Sequence, residues 1–207
     1  MHRYRIIVNP IAGHGNGERS IPQVEALLNE QGLEYELVRT ERPWHAAELA
    51  REGAARGFDA VVAVGGDGTA NEVLNGLMAA KQAGLGTCAL GMLCAGRGND
   101  FAFGVGVPAG LAEGCRALAA DHRRTIDVGW AVGGLYPQGR FFGNGVGIGF
   151  DAVVGFEAAK LRLTGFPAYA VAAFKTIFLF YKAPLVQVNY DGGTICLLYT
   201  SPSPRDS

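Results

Sequence analysis

Five apolar residues, Ala60 to Val64, run directly into Gly65-Gly66-Asp67-Gly68-Thr69-Ala70-Asn71-Glu72. An unbroken, β-branched apolar run suits a strand buried on both faces of a parallel sheet. The glycines that follow demand a sharp turn. A helix starts at once behind them, with Thr69 and Glu72 at capping-box spacing. Strand, glycine turn and helix in that order collect backbone amides at a positive helix end, which makes a site for phosphate oxygens. Asp67 is out of place beside a bare phosphate, because two anions repel. It fits a nucleotide accompanied by Mg²⁺, or a role in orienting a donor. The bland alternative is a tight turn with no ligand, but so much glycine at the carboxyl end of a parallel strand marks the usual ligand crevice of an α/β sheet.

The residues around this turn alternate between the two periodicities. Arg5–Val8, Tyr35–Arg39, Ala60–Val64 and Cys88–Met92 read as strands. Ile21–Gln31, Ala46–Arg56, Asn71–Ala83 and Leu111–Ala119 read as helices, the first two stopped by Gly32 and Gly57. The alternation predicts a layered α/β domain with a mostly parallel sheet over residues 1–124. From about Thr125 the texture changes. Ile126–Ala131, Arg140–Asn144 and Leu185–Tyr190 read as strands, the last followed by a turn at Asp191-Gly192, so residues 125–195 are expected to form an incomplete β-rich second domain. Phe166–Tyr181 is apolar, yet short for a membrane span and interrupted by Lys175. A helix packed in a core and a lipid-facing surface both remain open for it. Residues 196–207 end in a Ser/Pro-rich stretch and are expected to be a non-native tail.

Two further glycine-rich loops fall at the same edge of such a sheet. Asn9-Pro10-Ile11-Ala12-Gly13 and the glycines beyond it follow the first strand, and Gly96-Arg97-Gly98-Asn99-Asp100-Phe101 follows the fourth. Arg97 suits phosphate oxygens. Asn99 and Asp100 are of a kind to reach ribose or a metal, with an Asx-type helix cap weighing almost equally. A Walker lysine motif and G-x-G-x-x-G are both missing, which disfavours P-loop and Rossmann readings. The formal net charge of -1 offers nothing to nucleic acid. The four cysteines form no C-x-x-C pair, so zinc-ribbon and redox motifs are not indicated. A strand directly after the N-terminus leaves no room for a signal peptide, and the expectation is a reduced, cytoplasmic protein.

The N-P-x-A-G loop, the G-G-D-G-T-x-N-E segment and the N-D-F-A segment, in this order and spacing, resemble the bacterial diacylglycerol kinase catalytic family, soluble lipid kinases related to sphingosine kinases. Arg124–Gly129 and Phe142–Val154 extend the resemblance, which covers roughly residues 5–193. It implies an α/β nucleotide-binding domain followed by a β-sandwich, with ATP and Mg²⁺ in the cleft between them. Carried over residue by residue, Asn9, Pro10, Ile11, Ala12 and Gly13, Gly65, Gly66, Asp67, Gly68, Thr69, Ala70 and Asn71, and Thr40 after the second strand would contact the nucleotide. Arg97 stands where many members have threonine, and Cys94 where many have proline. The resemblance further implies γ-phosphoryl transfer to a lipid hydroxyl of the diacylglycerol kind at the inner face of a membrane, with Asp67 supporting. The family's acidic proton acceptor and acidic metal loop find no match after Gly193, so the chain as given is expected to bind nucleotide without turnover. A homodimer stays open. The rival enzyme is an NAD kinase, which shares the G-G-D-G-T turn but not the other two segments.

Overall fold

The computed structural model describes residues 2–134, 136–147, 149–161, 166–179 and 185–198. These divide into two units, one ending at Val146 and one beginning at Gly147. In the first, β1 (Arg3–Val8), β2 (Glu34–Arg39), β3 (Ala60–Gly65) and β4 (Ala89–Cys94) form a parallel sheet in the order β2-β1-β3-β4. Alternate residues of each strand face opposite layers. Ile6, Val8, Val62, Val64 and Leu93 meet α1 (Ala12–Glu30) and α5 (Leu111–Ala119) through Val24, Leu28 and Cys115. Ile7, Val61, Ala63 and Met92 meet α2 (His45–Ala55) and α3 (Asp67–Gln82) through Ala46, Ala50, Val73 and Leu77. Two apolar layers explain why β3, at the centre, is apolar throughout. Because β2 lies on one side of β1 and β3 on the other, the topological switch point falls between β1 and β3, the usual place for a ligand in an open α/β sheet.

The α3 helix opens at Asp67, four residues before the expected start at Asn71, with Gly66 as its N-cap. The capping box does not form, because both of its side chains are engaged elsewhere. Thr69 accepts from Asn9, and Glu72 accepts from the Ala46 amide at 3.3 Å, tying down the start of α2. A short helix, α4 (Asp100–Gly104), follows the β4 loop. The α1 helix begins nine residues before the expected Ile21, although Gly13, His14 and Gly15 break it with left-handed backbone.

The antiparallel hairpin of β5 (Gly129–Gly133) and β6 (Tyr136–Phe142) belongs to the first unit, beyond the border expected at residue 124. The reason is a polar clamp from α3. Asn71 and Asn75 each donate a side-chain N–H to the Phe141 carbonyl at 3.0 Å, and Asn75 accepts the Phe141 amide at 2.9 Å.

The second unit has α6 (Phe150–Lys160), α7 (Phe166–Leu179) and an antiparallel hairpin of β7 (Leu185–Tyr190) and β8 (Gly193–Leu198). The strand expected at Leu185–Tyr190 is β7, and the two helices occupy a stretch of the expected β-rich domain in which no strand had been placed. Val154, Ala158 and Ala172 join α6 to α7, and Glu157 pairs with both Lys160 and Lys175. Of the apolar stretch Phe166–Tyr181, the first fourteen residues are α7, and Tyr181 lies outside the described residues. Among the described residues no helix is long and apolar enough to cross a membrane. Residues 196–198, assigned in sequence to the tail, complete β8, and the rest of the tail lies outside the described residues.

Candidate functional site

At the carboxyl edge of the sheet the loops after β1, β3 and β4 interlock. The Asn9 amide donates to the Val64 carbonyl at 3.0 Å, and the Asn9 side chain donates to Thr69 Oγ1 at 3.0 Å. Its Oδ1 accepts the Ile11 amide at 3.2 Å, which folds the turn at Pro10. The Ala95 amide donates to the Gly65 carbonyl at 2.9 Å. Main chains approach so closely that side chains are excluded. A Cβ on Gly13 would lie 2.4 Å from the Ala95 oxygen, and one on Gly96 would lie 2.2 Å from the Gly66 Cα. These glycines therefore serve contact between loops, whereas a Cβ on exposed Gly68 would meet nothing within 4 Å. Open space next to the first turn of α3 is where an incoming anion can sit.

Asp67 orients donors within the protein. Its carboxylate accepts the Asn99 amide at 2.9 Å and the Phe101 amide at 2.8 Å, so it caps α4 from across the loops. This settles the cap alternative for Asn99 in an unexpected way. Asn99 occupies the N-cap position in left-handed backbone (φ 62), but Asp67 makes the capping bonds. The Asn99 side chain donates to the Gly96 carbonyl at 3.3 Å, while its Oδ1 is buried without a hydrogen-bond partner. Arg97 and Asp100 are exposed in the same loop. Burial first, and then the Asp67 charge, raises the Cys94 thiol, and burial pushes Cys88 to about 11, so neither is a thiolate nucleophile at neutral pH.

The remaining sequence candidates divide. The Thr40 amide donates to the Val8 carbonyl at 2.8 Å, holding that residue at the same edge. Ile11 is exposed, and the Pro10 carbonyl accepts the Glu18 amide. Ala70 is buried against the sheet, with its amide already bonded to the Gly66 carbonyl. Asn71 is spent on the β6 clamp. Free for a ligand are the first-turn amides of Asp67, Gly68 and Thr69, which have no intrahelical acceptor. Such donors, aligned with the helix dipole, fit phosphate oxygens. Among the described residues no cluster of three or more His, Cys, Asp or Glu could cage a metal. The exposed Asp100 carboxylate in the β4 loop is a hard oxygen donor of the kind that magnesium takes.

Sequence reading missed Asn75, Trp44, Tyr136 and Arg140. Arg140 Nε donates to Asn71 Oδ1 at 2.6 Å, another of its guanidinium nitrogens reaches the Tyr136 hydroxyl, and its Cζ lies 4.7 Å from the Trp44 ring centroid. Asn75 stands four residues beyond Asn71, a spacing that places both on one helix face. Nothing along the chain links that face to Arg140, 69 residues after Asn71.

Residues 3–131 match the family model described as the diacylglycerol kinase catalytic domain. A diacylglycerol kinase of Staphylococcus saprophyticus is 29% identical over 191 residues, covering 91% of this chain and 59% of the relative. One from Bacillus subtilis is 30% identical over 195 residues, with 93% and 61% covered. The crystal structure of a diacylglycerol kinase from Bacillus anthracis matches with a TM-score of 0.54 at 27% identity, over 61% of this chain and 45% of that one. The chain spans about three-fifths of the length of these curated relatives.

Proposed function

Because the chain belongs to the diacylglycerol kinase catalytic domain family, we propose that its first unit binds ATP with Mg²⁺ over the loops of β1, β3 and β4, and that the enzyme passes the γ-phosphoryl group to a lipid hydroxyl of the diacylglycerol kind. The observation that carries this reading is the interlocked edge itself, where Asn9, Gly96 and Asp67 hold three loops around amides left without acceptors. Phosphoryl transfer depends on positioning and on neutralising charge around the phosphates. Amides fixed before the ligand arrives supply both without reorganising. Arg97, exposed beside them, adds a cation. Magnesium, when bound, supplies further neutralisation at the phosphates. Asp67 acts here by ordering the loop that carries Arg97, Asn99 and Asp100. A lipid acceptor places the work at a membrane surface, and a cytoplasmic location goes with it.

Calorimetry with ATP at saturating magnesium is expected to give saturable heat. No heat from folded protein overturns the reading. With Mg-ATP and either dispersed diacylglycerol or NAD, phosphorylation of NAD alone would transfer the chain to the rival enzyme class.

A further inference from the structure

Arg140 is half-buried, and the groups that hold it among the described residues are neutral. Asn71 Oδ1 accepts from Nε, Tyr136 accepts from the guanidinium, and the rings of Trp44 and Tyr136 lie 4.7 and 4.6 Å from its carbon centre. Most other arginines of the unit face carboxylates, although the exposed Arg19 and Arg124 donate to backbone carbonyls. Arg5 meets Glu36 and Glu52 at 2.8 and 3.0 Å, and Arg39, Arg42 and Arg56 pair with carboxylates too. No carboxylate lies within ion-pair distance of Arg140 among the described residues. Taking a cation partly out of water without a counter-ion is costly. Three side chains nevertheless hold this one in a single orientation. A rigid guanidinium with no counter-charge among the described residues is suited to receive that charge from a ligand.

Its position says which ligand. Asn71 follows Asp67 by one helical turn on the same face, and helix side chains lean toward the N-terminus. The guanidinium that Asn71 holds is thereby drawn toward the first turn of α3, where the amides of Asp67, Gly68 and Thr69 await an anion. Trp44, immediately before α2, backs the guanidinium from the side of the β2 loop. We propose that Arg140 is a phosphate-binding residue of this same nucleotide site, held in place by Asn71, Tyr136 and Trp44. The proposal rests on the nucleotide reading above. It assigns to β6, outside all three glycine-rich loops, a cation of the phosphate cradle.

The test is calorimetry of the chain with adenosine, AMP, ADP and ATP, the nucleotides with magnesium, for wild type, Arg140→Gln and Arg140→Lys. Glutamine keeps a planar amide that can rest on Trp44 but removes the charge. Its ATP affinity is expected to fall roughly ten- to a hundredfold, the size of a lost charge-assisted contact, with adenosine binding unchanged and lysine recovering part of the loss. Wild-type ATP affinity in Arg140→Gln, or an equal loss for adenosine and ATP, overturns the proposal. The equal loss would reveal a purely structural role. Near-ultraviolet circular dichroism of the aromatic residues monitors the fold. If the glutamine variant does not fold, Arg140→Met, which keeps an unbranched apolar stem without the charge, decides. Phosphate-dependent weakening supports the proposal, and wild-type affinity across the series rejects it. Failure of the wild type itself to bind ATP removes the nucleotide reading and this proposal with it.

Discussion

Asp67 carries a negative charge into the turn where phosphate is proposed to bind, and its two amide bonds show what keeps it there. Each oxygen holds one N–H of the β4 loop, and a hydrogen bond to an ionised acceptor contributes more than a neutral one. Asn at this position can accept only one of the two, leaving its N–H₂ facing a second donor. We expect Asp67→Asn to cost about 1–3 kcal/mol, the range for a charged hydrogen bond lost in a partly buried site. The loss should be local, with hydrogen exchange at the Asn99 and Phe101 amides accelerating more than exchange in β3, and ATP affinity falling with it. Uniform acceleration throughout the sheet would mean that Asp67 stabilises the fold as a whole instead of ordering the loop.

Between elements, the contacts that matter most are those a single segment cannot announce. The α2 and α3 helices cross so closely that a Cβ on Gly76 would lie 2.1 Å from the Ala47 carbonyl oxygen. Gly76→Ala raises intrinsic helix propensity, yet it must push the two helices apart. The packing term should win, with a net destabilisation of about 1–3 kcal/mol and a lower thermal midpoint; a higher midpoint would show that the crossing yields freely. The same distinction explains what the chain disclosed in advance. Three strands were legible as compact apolar runs and β2 through Tyr35, Leu37 and Val38 in an otherwise charged segment, and Gly32 and Gly57 were legible as helix stops because their left-handed backbone is a local demand. The loops were legible as a shared edge from their place after β1, β3 and β4. The start of α3 was misplaced because Thr69 and Glu72 satisfy partners far along the chain, at Asn9 and Ala46. The five-residue α4 is too short for a period to show. Asn71 was read as a ligand contact and Arg140 as no more than the start of a strand, because the clamp joining them is written in two segments.

The β5–β6 hairpin decides how large the first unit is. Two isolated strands are at best marginal in water, so this pair needs a support, and α3 supplies it through the reciprocal bonds of Asn75 with Phe141 and the added N–H of Asn71. Apolar contact follows the same path: a Cβ on Gly143, just past β6, would stand 2.8 Å from the Phe101 ring. Ending the polypeptide at Arg124 therefore strips partners from α3 and uncovers Phe101, whereas ending it at Val146 keeps both. The longer chain should unfold in one transition, and the shorter one should be less stable by about 2–4 kcal/mol if each lost bond counts near 1 kcal/mol. Urea melts of the two polypeptides measure the difference directly. A common midpoint would mean that the hairpin merely rests on α3. A lower midpoint with weakened ATP binding in the shorter chain would fit a nucleotide site whose walls include β6, since removing the hairpin removes Arg140 along with the clamp that aims it.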